Sequence, residues 1–461
     1  MKLKIGLNLI AILLISCNSV TVKESTPKLM VSENKRFLET EKGNPFFWMG
    51  DTGWMLFAKL NREEAEIYFE DRRQKGFNVI QVMVLHNILK EVNAYGDSAL
   101  INHNVATPLT TPGNSPDNAE QYDYWDHVDY IIKSAREKGI YMALVPVWGS
   151  NVKGGHVTKE QAWKYGDWLT KRYKDEPNVI WINGGDIKGS DSTSVWQTIG
   201  SVIRQNTKQL ITFHPFGRTQ SSTWFHNESW LDFNMFQSGH RRYSQDTTGL
   251  HYGEDNWKYV TDDYNKIPAK PTLDGEPSYE GIPQGLHDPS QPYWTDSDVR
   301  RYAYWSVFAG GCGFTYGDNA IMQFHKPGDT DAAYGVKDTW IEALNAPGAS
   351  EMKFLKQLML SRPYFERIPA QDLIAGPQKE KYDYQAATKG KKYAFIYSCN
   401  GSIMNINLSG ISASEFNASW FNPRNGVSTP IGPSKNDGIK TFDPPGQTEN
   451  GNDWVLVLDW E

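Results

Sequence analysis

The chain has 461 residues and a net charge of −7, with 39% hydrophobic and 22% charged residues. This composition excludes intrinsic disorder, collagen and coiled coil as the overall class of protein. The acidic balance argues against nucleic-acid binding, which normally requires a basic face. At roughly 100–200 residues per domain the length suits two or three domains, although an α/β barrel alone can take about 250. Aromatic residues reach 13%, and Trp and Tyr line clefts for polar ligands as well as cores.

The N-terminus has the pattern of a bacterial export signal. Lys2 and Lys4 precede an apolar run over residues 5–15. That run is much shorter than the ~20 residues that a membrane-spanning helix needs, so it is typical of a cleaved signal rather than of a transmembrane segment.

The end of this apolar run resembles a lipobox. Residues 14–17 read Leu-Ile-Ser-Cys, and in a lipobox the cysteine, here Cys17, becomes the lipidated N-terminus of the mature chain. The sequence therefore predicts a lipoprotein signal peptide over residues 1–17 and a polar, flexible tether over residues 18–30. We expect an exported lipoprotein on the outer membrane surface or in the periplasm, which meets a membrane only through its lipid. An ordinary secretory signal is the alternative.

After the tether, short apolar runs alternate with amphipathic helical patterns. Eight such runs, separated by helical segments, predict a (β/α)8 barrel over residues 31–365. No Gly-x-Gly-x-x-Gly follows a strand and no P-loop is present, so a nucleotide-binding sheet is disfavoured. The predicted strands are residues 46–51, 77–85, 140–148, 179–186, 210–215, 233–240, 271–276 and 312–316.

Two helix starts carry a recognisable cap. Asn61 is followed three residues later by Glu64, and Thr158 is followed in the same way by Gln161. This spacing predicts capping boxes, in which the two side chains satisfy free backbone N–H groups at the helix N-terminus.

The pattern changes near residue 365. Residues 366–461 contain short alternating strands between Gly, Asn and Pro turns, which predicts a small antiparallel β-sandwich. Cys312 and Cys399 remain after signal removal. Isolated cysteines are typically small buried hydrophobic residues, and the sequence does not decide whether these two pair.

In a barrel the functional groups lie where strands end. Polar and aromatic residues at these ends are candidates for substrate contact, although strand ends are also polar simply because they are exposed. The candidates are Asp51, Trp54, His86, Trp148, Asn183, His214, Gln237, His240, Tyr279 and Tyr316.

Two acidic residues stand out among the strand ends. Asp186 and Glu276 lie 90 residues apart, and three barrel units of roughly 31 residues predict about 94. That spacing puts them on strands 4 and 7, facing each other across the barrel mouth. Two opposed carboxylates are what glycoside hydrolysis requires, and the retaining mechanism predicts a separation of about 5–5.5 Å.

Four motifs together resemble the apiosidase-like catalytic domain of glycoside hydrolase family 140. They are FWMGDTGW at residues 47–54, GFNVIQ at 76–81, WINGGD at 181–186 and LDGEP at 273–277. The tail, with WFNPRNG at 420–426, is similar to the collagen-binding-type domain that commonly follows, a name from which we infer no collagen binding.

The resemblance implies an exported retaining enzyme that cleaves apiosidic linkages in side chains of the pectin rhamnogalacturonan II. It implies that Asp186 is the acid/base and Glu276 the nucleophile, although the larger clan of such barrels has Asn-Glu at the end of strand 4. The plant cell-wall glycan is the expected partner, the protein is expected to be a monomer, and no cofactor is expected.

Three alternatives remain open from the sequence. The barrel could act as a β-glycosidase or endo-glycanase on another glycan, such as a β-mannan, xylan or galactan. The chain could be a non-catalytic surface glycan-binding lipoprotein, which would need no carboxylate pair. A metalloenzyme is the most distant alternative, because His86, His214 and His240 lie on three strands without a ligand motif.

Overall fold

The computed structural model describes residues 26–249 and 251–461. The predicted signal peptide, with the predicted lipidation site Cys17, lies outside these residues. The first large unit is built on eight parallel strands. They are β1 Trp48–Thr52, β2 Val79–Met83, β3 Tyr141–Val145, β4 Val179–Ile187, β5 Ile211–Pro215, β6 Asn234–Gln237, β7 Thr272–Asp274 and β8 Gly313–Tyr316.

The strands form a nearly closed barrel. Their order is β5-β4-β3-β2-β1-β8-β7-β6, and the short strand Thr219–Gln220 adds to β6 in antiparallel orientation. At the remaining gap, the N–H of Asp232 donates to the carbonyl of Ile211 at 2.9 Å. The hydroxyl of Thr212 donates to the carbonyl of Phe233 at 2.7 Å. The predicted (β/α)8 architecture is confirmed.

Helices surround the barrel, and all residues of β1, β2 and β3 are buried, as expected for parallel strands covered on both faces. The helices are α1 Leu56–Lys59, α2 Arg62–Gln74, α3 Tyr124–Glu137, α4 Gly149–Lys153, α5 Lys159–Tyr173, α6 Thr193–Asn206, α7 Ser222–Phe225, α8 Asn256–Tyr264, α9 Asp296–Phe308, α10 Asn319–Met322, α11 Trp340–Ala343 and α12 Pro347–Leu360. Short 3₁₀ turns lie at Ile101–His103, Tyr243–Gln245, Tyr364–Glu366, Gln371–Leu373, Lys381–Asp383 and Leu408–Gly410.

Both predicted capping boxes are present. The side chain of Asn61 accepts the Glu64 N–H at the start of α2, and the Glu64 carboxylate accepts the Asn61 N–H. Thr158 and Gln161 make the same reciprocal pair before α5. Within the described residues, no helix has the length and apolar character needed to cross a membrane.

Part of the segment predicted as a tether, residues 26–30, is packed against the rest of the protein. Leu29–Val31 pairs with Leu38–Thr40, which in turn pairs with Pro45–Phe46. The hydroxyl of Thr26 donates to the carbonyl of Arg136 at 3.1 Å. The end of the predicted tether is therefore corrected: an apolar strand ties these residues to the barrel.

The second unit is an antiparallel sheet domain, as predicted. A six-stranded sheet runs in the order Ile368–Pro369, Gln385–Lys389, Tyr393–Ser398, Trp454–Asp459, Glu415–Phe421 and Ser428–Lys435. Met404–Asn407 and Ile439–Phe442 form a separate pair. The edge strand Ser428–Lys435 is largely exposed and contains two prolines, a composition from which the sequence alone does not indicate a strand.

The two units are joined by buried polar and aromatic contacts. Arg300 on α9 donates to both carboxylate oxygens of Asp453, at 3.0 and 3.1 Å. The rings of Trp257 and Tyr384 stack with centroids 4.2 Å apart. Cys312 and Cys399 are both free and buried, which answers the open question of their pairing.

Candidate active site

A cavity of about 400 Å³ opens at the carboxyl ends of the barrel strands. Asp186 and Glu276 both line it, so the structure brings the two predicted catalytic carboxylates together. Six of the predicted substrate-contact residues also line it: Trp54, His86, Trp148, Gln237, His240 and Tyr279.

A bulge at the end of β4 presents Asp186 to the cavity. Gly184 pairs with His214 and Ile187 pairs with Pro215, so two extra residues are accommodated on the β4 side. Asp186 itself has a φ of 48°, a left-handed conformation that is unusual for a residue with a side chain. Such strain concentrates at functional sites, where the surrounding structure holds it in place.

The two glycines before Asp186 are required by close packing. A Cβ on Gly184 would lie 2.6 Å from the carbonyl oxygen of His214, and one on Gly185 would lie 2.5 Å from the Trp148 ring. Both glycines also have positive φ. Glycine at both positions therefore allows the bulge to pack closely against β5 and the Trp148 ring.

Glu276 lies two residues beyond β7 and is held by two histidines. Nε2 of His240 lies 3.2 Å from Oε1 of Glu276, and Nε2 of His214 lies 3.0 Å from Oε2. Nδ1 of His214 accepts the backbone N–H of Asp186 at 3.2 Å. In the neutral form, therefore, the proton of His214 is on Nε2 and faces Glu276.

The two carboxyl groups have opposite pKa shifts. Burial, and then the negative charge of Glu276, raise the pKa of Asp186 above its ordinary value, although its side chain reaches solvent in the cavity. Burial would also raise the pKa of Glu276, but hydrogen bonds and charge from His214 and His240 outweigh it and lower that pKa to about 2. Two carboxyl groups whose pKa values are shifted in opposite directions suit the roles of proton donor and ionised partner.

Comparison with known proteins identifies the family. A family model described as "Apiosidase-like, catalytic domain" matches residues 32–366. The chain belongs to this apiosidase-like family. A second family model, "Putative collagen-binding domain of a collagenase", matches residues 368–459. A search of the curated proteins finds no match.

Solved structures agree with this membership. One described as "Glycoside hydrolase" is 47% identical with a TM-score of 0.88, covering 95% of this chain and 97% of its own. Another, described as a glycoside hydrolase family 5 from Bacteroides vulgatus ATCC 8482, is 45% identical with a TM-score of 0.88, covering 94% and 93%. This apiosidase-like protein is therefore a glycoside hydrolase.

Aromatic side chains form one wall of the glycosidase cavity. The rings of Trp54 and Trp148 have centroids 5.2 Å apart, and Nε1 of Trp54 donates to the Tyr279 hydroxyl at 3.1 Å. Oε1 of Gln237 is buried at the cavity and has no hydrogen-bond partner among the described residues. An unpaired acceptor in this position suits a substrate hydroxyl.

Burial lowers the pKa of His86, another cavity histidine, with a further effect from the charge of Lys90. Across residues 26–249 and 251–461, no group of three or more His, Cys, Asp or Glu side chains could hold a metal ion.

Four predicted contact residues do not line the cavity. His214 is fully buried and contacts Glu276 instead, and the assignments of the other three are also corrected. Each is fully buried and directed at another part of the protein, because alternate side chains of a strand point away from the barrel interior. The Asp51 carboxylate pairs with Arg72 on α2 at 2.5 Å. Nδ2 of Asn183 donates to the carbonyl of Trp196 at 2.8 Å. The Tyr316 hydroxyl donates to Glu280 at 2.6 Å.

Several further cavity residues were not predicted from the sequence, including two arginines and a tyrosine. Arg218, Arg241 and Tyr334 line the cavity. Arg218 lies three residues beyond β5, whereas Arg241 and Tyr334 belong to the longer loops after β6 and α10. Tyr334 has a φ of 56°, and its pKa is raised by burial and then by the charges of Glu276 and Asp186. Arg241 could have been noticed because it directly follows His240, whereas nothing in the local sequence marks Tyr334.

Proposed function

We propose that this glycoside hydrolase is a retaining enzyme that cleaves apiosidic linkages in pectic side chains, with Glu276 as nucleophile and Asp186 as acid/base. The observation that carries the proposal is a single cavity lined by two carboxyl groups, one of which, Glu276, is contacted on its two oxygens by His240 and His214. Glu276 is kept ionised and Asp186 has the raised pKa that a proton donor needs.

The proposed reaction has two steps. The Glu276 carboxylate bonds to the anomeric carbon while the bond to the leaving oxygen breaks, and Asp186 gives its proton to that oxygen. Asp186, now ionised, takes a proton from water as the water attacks the anomeric carbon and releases Glu276. The N–H groups of His214 and His240 stabilise the Glu276 carboxylate before attack and when it leaves.

An unpaired arginine supports an acidic glycan as substrate. Among the cavity cations, Lys59 pairs with Asp331 at 2.9 Å and Arg218 pairs with Asp246 at 2.8 Å. Arg241 has no carboxylate partner among the described residues. A planar guanidinium without a carboxylate partner in a glycosidase cavity suits the carboxylate of a uronic acid.

The first test is a substrate panel. Wild type would be assayed on an aryl apioside, an aryl β-glucoside, an aryl β-mannoside and rhamnogalacturonan II oligosaccharides, with Glu276→Ala as the inactive control. We expect kcat/KM for the apioside to exceed the others by about 100-fold or more. Preference for another glycoside would leave the glycosidase assignment intact and reject the apiosidic one.

The second test addresses the acidic sugar. Arg241→Gln should lower kcat/KM about tenfold on a substrate with a free uronate and leave its methyl ester unaffected. Arg242→Gln, the adjacent arginine outside the cavity lining, is the matched control. Equal losses on acid and ester would reject carboxylate recognition by Arg241.

The likeness to the Bacteroides vulgatus protein, which is described as a family 5 enzyme, favours a second candidate. This candidate is a β-glycosidase or endo-glycanase that acts on another glycan. The same panel distinguishes it from the apiosidase. A non-catalytic glycan-binding role is inconsistent with any turnover that Glu276→Ala abolishes.

We also propose that the protein is exported as a lipoprotein anchored through Cys17. The support is the charged start, the short apolar run and the Leu-Ile-Ser-Cys sequence. Expression with labelled fatty acid should label wild type in the membrane fraction and leave Cys17→Ser unlabelled. Labelling of Cys17→Ser would reject the anchor site.

A further inference from the structure

The C-terminal domain contacts a loop that lines the active-site cavity. This loop connects β6 to α8, and its first part, residues 238–249, contributes His240 and Arg241 to the cavity. His240 holds the proposed nucleophile. A loop that is well ordered therefore keeps His240 in position at Glu276.

One buried carboxylate ties the loop to the second domain. Glu254 is fully buried, and its Oε1 accepts the backbone N–H of Tyr243 at 3.1 Å. Nη2 of Arg301, on α9, donates to Oε2 at 2.6 Å. The hydroxyl of Tyr382, from the C-terminal domain, donates to both oxygens at 3.0 and 3.1 Å.

Tyr382 is itself fixed on both sides. Its ring packs against Tyr243 of the loop at 5.7 Å between centroids, and the Arg301 guanidinium lies 4.9 Å above it. Its carbonyl accepts the Cys399 thiol at 3.1 Å within the C-terminal domain. The cavity loop, the barrel helix α9 and the C-terminal domain thus meet at the buried carboxylate of Glu254.

From these contacts we infer that the C-terminal domain orders the cavity loop, with Tyr382 as a positioning residue that acts through Glu254. A buried carboxylate that loses one of its donors is destabilised, and local opening of the loop then becomes easier. The inference goes beyond the proposed function and does not depend on which sugar is cleaved.

The test compares two variants that each lose one tyrosine hydroxyl in the C-terminal domain. Tyr382→Phe loses the bond to Glu254, whereas Tyr384→Phe loses a hydroxyl that contacts Gln371 within the C-terminal domain and keeps its ring on Trp257. Hydrogen exchange of peptides over residues 241–249 would be measured with kcat and KM on any glycoside that wild type hydrolyses.

We expect Tyr382→Phe to speed exchange in residues 241–249 and to lower kcat/KM about threefold to tenfold, mainly through KM. Tyr384→Phe should change neither. Glu254→Gln, which keeps the size but also removes the charge opposite Arg301, should change exchange and KM in the same direction as Tyr382→Phe and by at least as much. The inference is rejected if Tyr382→Phe matches Tyr384→Phe, or if exchange rises while kcat/KM stays at the wild-type value. Exchange is read without turnover, so failure of the substrate assignment would not affect it.

Discussion

His240 donates a hydrogen bond from Nε2 to Oε1 of Glu276 at 3.2 Å. An ionised carboxylate only accepts, so the histidine nitrogen must be the donor. Together with His214 on the other oxygen, this contact explains how a nearly buried glutamate stays ionised beside a second acid.

The pH dependence of kcat/KM should reflect these contacts. Glu276 must be ionised, so the acid limb should fall near its pKa of about 2, and Asp186 must be protonated, so activity should fall as pH rises through its raised pKa. His240→Ala removes a donor to the carboxylate, which should raise the Glu276 pKa and move the acid limb upward. His86→Ala, in the same cavity but not bonded to Glu276, is the control. An unmoved acid limb in His240→Ala would contradict the role of this histidine.

Gly184→Ala should damage both folding and catalysis. Its Cβ would meet the carbonyl of His214 at 2.6 Å and the Phe213 ring at 2.7 Å, so β4 would have to shift together with Asp186. We expect a loss of about 2 kcal/mol or more in the free energy of unfolding and at least a tenfold loss in kcat. Gly43→Ala has a similar φ with no atom within 4 Å, so it measures backbone strain alone. Equal effects of the two changes would show that close packing at Gly184 is unimportant.

Asp51 should matter for stability rather than for turnover. Asp51→Ala removes the acceptor of Nε of the fully buried Arg72, whose Nη1 keeps Asp71. The lost buried bond typically costs about 1–3 kcal/mol in the free energy of unfolding. Denaturant unfolding measures this loss, and kcat at low temperature should stay close to that of wild type. A stable variant with lost activity would restore Asp51 as a substrate contact.

The two domains should unfold together. Asp453→Ala removes the acceptor of Nε and Nη2 of the buried Arg300 at the interface, while Nη1 keeps Asp296 and Glu351. It should cost about 1–3 kcal/mol in the free energy of unfolding. Asp459→Ala breaks the half-exposed pair with Arg362 and should cost about 1 kcal/mol or less. Calorimetry of wild type should give one transition. Two separate transitions, or equal effects of the two variants, would show that the domains are energetically independent.

Much of the fold could be predicted because the spacing of apolar residues that marks a strand or a helix is a local property of the sequence. The spacing of Asp186 and Glu276 then placed both at the barrel mouth. Asp51 and Tyr316 were misassigned because a strand end does not by itself say which way a side chain points. Tyr334 was missed because its position depends on how a long loop folds back, which local pattern does not encode.

The measurement that tests the central claim most directly is azide rescue of two alanine variants on one activated aryl glycoside. If Glu276 is the nucleophile and Asp186 the acid/base, Asp186→Ala with azide should release a glycosyl azide of retained configuration, because azide attacks the glycosyl-enzyme intermediate. Glu276→Ala with azide should give the inverted azide, because azide attacks the substrate directly. The opposite assignment of products, a retained azide from Glu276→Ala and an inverted one from Asp186→Ala, would contradict the roles proposed for these two residues.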